Sequence, residues 1–206
     1  MIIEQLVVSP FAANCYVIGC EKSKVGAVID PGDEAGRILQ TIERLNLNIA
    51  YILLTHAHID HIGAAKEVAD ATQAPLALHK ADLPLLQAGG GGPLFGLPAP
   101  PRKEPDLWLE EGQTIAMGNY PLEVLFTPGH SPGHVCFYQP RAGVLFDGDV
   151  LFQGSIGRTD LPGGSYETLM HSINEKLMTL PDETIVCSGH GPRTTIGKER
   201  TNNPFL

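Results

Sequence analysis

Long apolar runs are missing from this chain. No stretch approaches the ~20 residues that a bilayer-spanning helix requires, so no membrane segment is expected. The opening MIIEQLVVSPF lacks a basic segment followed by a long apolar one, so no secretion signal is expected either. Positive charge is scarce: 14 Lys and Arg face 23 Asp and Glu, giving a formal charge of −9. That balance argues against bulk attraction to nucleic acid or to an anionic membrane. Cysteine is sparse. Cys15, Cys20, Cys136 and Cys187 form no CxxC pair, and three of them sit in apolar runs. Free buried thiols in a reducing cytosol fit this usage better than a disulfide scaffold, so a cytoplasmic setting is expected.

What remains is the composition of an ordinary globular protein, 43% hydrophobic and 18% charged over 206 residues. That length suits a single domain spanning 1–206 with a core large enough to need no staples. Short β-branched runs at Ile2–Val8, 15–18 and Val25–Ile29 read as strands separated by Pro, Asn and Gly. Asp30-Pro31-Gly32 reads as a turn, with Pro fixing φ and Gly supplying a positive φ. Ile38, Leu39, Ile42 and Leu45 mark one face of a helix. A nearly continuous apolar run at 49–54 reads as a buried strand, 62–72 as a helix and 76–78 as a strand. AGGGGPLFGLPAPPRKEP, residues 88–105, is too rich in Gly and Pro for regular structure and reads as a loop, either mobile or walling a site.

Strands resume at 114–116, Leu122–Phe126, 135–138 and 144–146. Ser165 caps a helix whose apolar face is Tyr166, Leu169, Met170, Ile173 and Leu177. A buried strand at 184–187 and a short helix near 196–200 follow. Strands and helices alternate in two loosely repeated halves, which predicts an α/β protein with two sheets back to back and helices outside.

Four apolar strands end on metal-type ligands: ILLTHAHIDH, VLFTPGH, VLFDGD and IVCSGH. Loops after strand ends are where α/β scaffolds build their sites. His56 and His58, two apart in extended chain, lie on one side about 6.5 Å apart along the backbone, within reach of one zinc-sized ion. Asp60 and His61 come after the chain turns into a helix and point elsewhere. Two adjacent divalent ions account for both pairs, with Asp149 between them and His130 and His190 completing the shells. His134 is a candidate for an outer partner of these ligands. His79 and His171 are left out.

THAHIDH resembles the HxHxDH signature of the metallo-β-lactamase fold, and DPG, TPGHSPGH, FDGD and SGHG follow the family's order along essentially the whole chain. The resemblance implies a four-layer αββα sandwich with the metals at one edge of the two sheets. It also implies that His56, His58, His130 and Asp149 hold one ion, and Asp60, His61, Asp149 and His190 the other. Zinc is the first expectation, with iron or manganese as alternatives. SIGRTD and GHGPRTTIGKERTNNPFL are similar to a short bacterial branch of glyoxalase II-like proteins, hydroxyacylglutathione hydrolases. The aspartate at 149 sets the chain apart from true β-lactamases of this fold.

The activity so implied is hydrolysis of a small-molecule thioester, S-lactoylglutathione or a related hydroxyacyl thioester. A hydroxide at the metals would be the nucleophile, with Asp60 and Asp149 in catalytic roles and Arg158 gripping the substrate. Asp160 stands where longer glyoxalase II enzymes carry a tyrosine, which puts the thiol carrier in question, and Arg158 has a plain alternative as the ion-pair partner of Asp160. A mononuclear-iron persulfide dioxygenase, which shares GRTD, and a hydrolase of another ester such as a lactone are the competing expectations.

Overall fold

A computed structural model describes residues 1–206. Strands β1 (Ile2–Val8), β2 (Ala13–Gly19) and β3 (Val25–Ile29) form an antiparallel meander. Helix α1 (Ala35–Leu45) returns the chain to β4 (Asn48–Leu53), parallel to β3. Helices α2 (Ile59–Ile62) and α3 (Ala65–Thr72) lead to β5 (Leu76–His79); α4 (Leu83–Gln87) and the Gly/Pro-rich loop lead to β6 (Leu107–Leu109). These strands form one sheet in the order β1-β2-β3-β4-β5-β6.

The second sheet begins with β7 (Thr114–Ile115), β8 (Leu122–Phe126), β9 (Val135–Gln139) and β10 (Val144–Gly148). A hairpin of β11 (Leu151–Phe152) and β12 (Ser155–Ile156) precedes α5 (Tyr166–Ser172). Strands β13 (Ile185–Ser188) and β14 (Thr194–Thr195) close the sheet as β14-β13-β10-β9-β8-β7, and α6 (Ile196–Asn202) covers its outer side.

Strand alternation builds the layers. On β2, Tyr16 and Ile18 face the second sheet, while Cys15 and Val17 face α1 and α3. On β9, Val135 and Phe137 face inward, while Cys136 and Tyr138 pack with Leu169, Ile173 and Leu177. Three apolar clusters therefore fill the three interfaces of four layers, and the αββα sandwich is the observed fold. All four cysteines are free and buried. No helix is long and apolar enough to cross a membrane.

The sandwich also sets where functional loops go. Strands β3, β4 and β5 run parallel. Strand β8 is antiparallel to β9, β9 to β10, and β10 is parallel to β13, so β8, β10 and β13 share a direction. The loops leaving these six strands carry Asp30, the 56–61 segment, Asp82, His130, Asp149 and His190.

Three local readings are corrected. The helix expected over 62–72 is two helices, α2 and α3, broken at Gly63. A Cβ on Gly63 would lie 2.1 Å from the carbonyl oxygen of Gly32, so the DPG turn and this break touch backbone to backbone. In the turn itself the left-handed residue is Asp30 (φ 50°), not Gly32. Gly32 is needed for space, since a Cβ there would lie 1.7 Å from the Asp60 carbonyl oxygen. Third, the helix capped by Ser165 passes into a π-helical turn at Ile173–Leu177, and the 88–105 loop contains one 3-10 turn at Gly92–Phe95.

Candidate metal centre

The chain leaves β4 at Leu53, stays extended through Thr55 to His58, and enters α2 at Ile59. His56 and His58 therefore lie before the break, Asp60 and His61 after it. Nitrogens of His56, His58 and His130 form one group whose ligand atoms all lie within 4.8 Å of one another; Asp60, His61 and His190 form a second, and Asp30, His56 and His61 a third that links them. The Asp149 carboxylate lies between the two. Its Oδ2 is 3.5 Å from His130 Nε2 and 3.7 Å from His190 Nε2, and its Oδ1 is 3.5 Å from His61 Nε2. His190 Nε2 is 3.1 Å from Asp60 Oδ2. A Cβ at Gly189 would sit 2.3 Å from Asp149 Oδ1, so only glycine admits this carboxylate.

Hydrogen bonds fix the tautomers. Thr55 Oγ1 donates to Asp30 Oδ2 at 2.6 Å, so His56 Nδ1–H donates to Thr55 Oγ1 at 3.0 Å. His61 Nδ1–H donates to Asp30 Oδ2 at 3.1 Å. His130 Nδ1–H donates to the Arg158 carbonyl at 2.8 Å. His56 and His130 thus present an Nε2 lone pair to the cluster, and His61 points there an Nε2 whose proton a cation would displace, the arrangement by which outer partners orient metal-ligating histidines. His56 Nε2, His61 Nε2 and Asp149 Oδ1 are buried with no hydrogen-bond partner. His58 Nδ1 and His130 Nε2 face each other at 2.9 Å, so a proton or a cation must lie between them. Orphaned buried acceptors are costly, and here they converge, which is what a site for cations of the N/O-ligated type requires.

The charges divide along the same line. Burial pushes His56 and His58 down, helped by the neighbouring histidines, His58 to about 3, so both rings are neutral ligands. Burial alone would also lower His61, but the Asp149 and Asp60 carboxylates outweigh it and push it up to about 10. Asp60, despite burial, is held below the usual carboxylate range by His61 and His190.

Several supporting residues were not read from the sequence as site residues. Asp30, taken only as part of a turn, accepts from the Thr55 backbone N–H (2.7 Å) and holds His61. Asp82 is fully buried and accepts from Ala57 N–H at 3.0 Å, Ser131 Oγ–H at 2.8 Å and Gly133 N–H at 2.5 Å, which ties the 56–61 segment to the TPGHSPGH loop. Asn14 Nδ2 donates to the carbonyls of Ser188 and Gly191, both at 2.9 Å, and so brackets His190 from the other sheet. A DPG in which the aspartate follows a strand directly was the one available signal for Asp30; nothing local marks Asp82 or Asn14. His134 Nε2 accepts from the Asp149 backbone N–H at 3.1 Å, and its ring stacks on His56. Asp147 turns away to accept from Leu151 N–H at 2.9 Å. His79 stacks on Phe126, away from the cluster.

A cavity of about 380 Å³ opens over the cluster, lined by His58, Asp60, His130, Asp149 and His190 and walled by Phe11, Phe95, Phe152 and Leu161. Arg158 also lines it, but its guanidinium makes two bonds to Asp160, at 2.7 and 2.8 Å. Gly90 and Phe95 place the Gly/Pro-rich loop in the cavity wall, and Gly90 accepts a hydrogen bond from Ile59 N–H at 2.9 Å.

Comparison with known proteins agrees with this geometry. Residues 8–190 match the model of the metallo-beta-lactamase superfamily. The hydroxyacylglutathione hydrolase GloC of Haemophilus influenzae is 44% identical over 209 residues, covering 100% of this chain and 98% of that protein. The crystal structure of the BLEG-1 B3 metallo-beta-lactamase superimposes with a TM-score of 0.92 at 42% identity, covering 100% and 99% of the two chains. That of TTHA1623 in a di-iron-bound form gives 0.88 at 43% identity, covering 98% and 100%. Matched along nearly its whole length, and carrying a His/Asp cluster of the metal-binding kind at one edge of an αββα sandwich, the chain belongs to the metallo-β-lactamase superfamily and is a metallo-hydrolase.

Proposed function

We propose that this protein, acting as one domain over 1–206, is a thioester hydrolase. It holds one divalent ion with His56, His58, His130 and Asp149 and a second with Asp60, His61, Asp149 and His190. The observation that carries this reading is Asp149, set between the His56, His58 and His130 group and the Asp60, His61 and His190 group of converging ligand atoms. Two groups support two ions over the single iron of a persulfide dioxygenase. Zinc suits the donors, and the di-iron form of TTHA1623 keeps iron beside it. Similarity to GloC supports a hydroxyacyl thioester such as S-lactoylglutathione as substrate. The free buried cysteines support a cytoplasmic setting.

Divalent ions bound here supply Lewis acidity and bring the pKa of water toward neutrality. The chain's own residues do the rest. Asp30, Thr55 and the Arg158 carbonyl hold the imidazole tautomers. Asp60 accepts a hydrogen bond from the attacking hydroxide, and Asp149 keeps the two halves of the site in register. The phenylalanine walls exclude bulk water from the thioester carbonyl. A thiol of pKa near 8.5 leaves as thiolate with little help, so no Ser-His-Asp triad is needed. Arg158 would reach the carrier only by exchanging its bonds to Asp160.

The test is a panel of S-lactoylglutathione, a lactone and a chromogenic cephalosporin, assayed with protein loaded with zinc or iron. Thioester cleavage with kcat/KM of about 10⁴ M⁻¹s⁻¹ or more is expected. A second reading, β-lactam hydrolysis, is favoured by the likeness to BLEG-1; the aspartate at 149 speaks for the thioester. Opening of the cephalosporin with no thioester cleavage would establish that reading instead.

A further inference from the structure

A second cavity, of about 300 Å³, adjoins the first and shares His58, Phe95 and Leu161 with it. It runs beneath the end of α4 and the turn at Gly92–Phe95, with Pro162 beyond. His58 is the one ionisable side chain among its nine lining residues. The others include Leu85, Leu94, Phe95, Leu161 and Pro162. At the shared mouth Phe11 and Phe95 meet edge to face, 6.4 Å apart, and Leu94 is 65% exposed. Exposed apolar surface of this kind, in contact with a site, marks a place where something apolar binds. Arg158, which lines the main cavity, is already paired with Asp160. Beyond His58 no side chain of the second cavity offers an anion a partner.

We propose that this second cavity is a subsite for an uncharged, apolar arm of the ester substrate, reached past His58 while the scissile carbonyl sits at the cluster. The inference rests on the ester-hydrolase reading and shifts its substrate: thioesters with an alkyl or aryl arm on the acyl or the thiol side are preferred over S-lactoylglutathione. The wall is a built one, because the Gly90 carbonyl anchors it to the start of α2.

Two series of neutral thioesters test it. One runs from acetyl to octanoyl on N-acetylcysteamine; the other pairs an acetyl group with alkanethiols of increasing length. In one of the two, kcat/KM should climb with each methylene, by about fourfold at full burial, until the cavity is full. Ala88→Phe, at a lining position, should flatten that dependence. Binding is read separately by titrating the protein with 1-octanol and following backbone amide shifts in NMR. Gly91, Leu94 and Leu161 should move, and Ala88→Phe should weaken the effect. Hydrolysis of short thioesters with no length dependence in either series would overturn the subsite and leave the hydrolase reading intact. If no thioester is cleaved, that reading fails, and unmoved amides with octanol would overturn the subsite on its own.

Discussion

The rings of His56 and His61 lie 4.2 Å apart, centroid to centroid and tilted by 50°, yet they carry opposite charge preferences, because only His61 faces carboxylates on both sides. Asp30 reaches both rings, one directly and one through Thr55. Outer partners of this kind are worth 10–100-fold in metal affinity. Asp30→Ala should therefore weaken zinc binding by about that factor, measured by competition against a chromophoric chelator. The same residues set a pH dependence for metal-stripped protein. His58 stays neutral in the folded chain down to about pH 3, whereas the unfolded chain binds that proton below about 6.5. The unfolded state thus gains protons first, and stability falls as pH drops below about 6.5. At pH 5 this one residue costs about 2 kcal/mol. His61 acts in the other direction, adding stability below about 6.5 that is lost as pH rises toward 10. Urea midpoints from pH 5 to 9, in excess chelator, should peak near 6.5; stability rising steadily through pH 9 would contradict the assignment.

Among the elements, the break between β4 and α2 is what lets six residues point in two directions. It was legible, because an apolar run stops abruptly at a polar cluster and a helical pattern begins after it. The layers were legible too, from the loosely repeated order of strands and helices. Strands of two or three residues, β6, β7, β11, β12 and β14, were not all read, because so short a run has no period to detect. Asp82 and Asn14 escaped for a different reason. Their partners lie 25 to 177 residues away in sequence, so only the folded chain brings them together. Asp82 makes its own prediction. It joins two ligand-bearing loops without reaching the ion site. Asp82→Ala should lower metal retention by about 10–100-fold, with the protein still folded by circular dichroism. Retention equal to the wild type would mean the two loops are held by other contacts.

In the whole molecule, six strand ends from two sheets deliver their loops to one edge, and the site spans the junction between the sheets. The two groups that flank Asp149 each draw on both sheets: His130, Asp149 and His190 come from the second, the 56–61 segment from the first. The central claim is that this edge holds two separable cations divided by the β4–α2 break. Metal content per chain, measured on purified wild-type protein, His58→Ala and His61→Ala, tests it most directly. The account predicts close to two ions in the wild type and close to one in each variant, with the surviving ion at a different site in each. One ion in the wild type, lost alike from both variants, would contradict it.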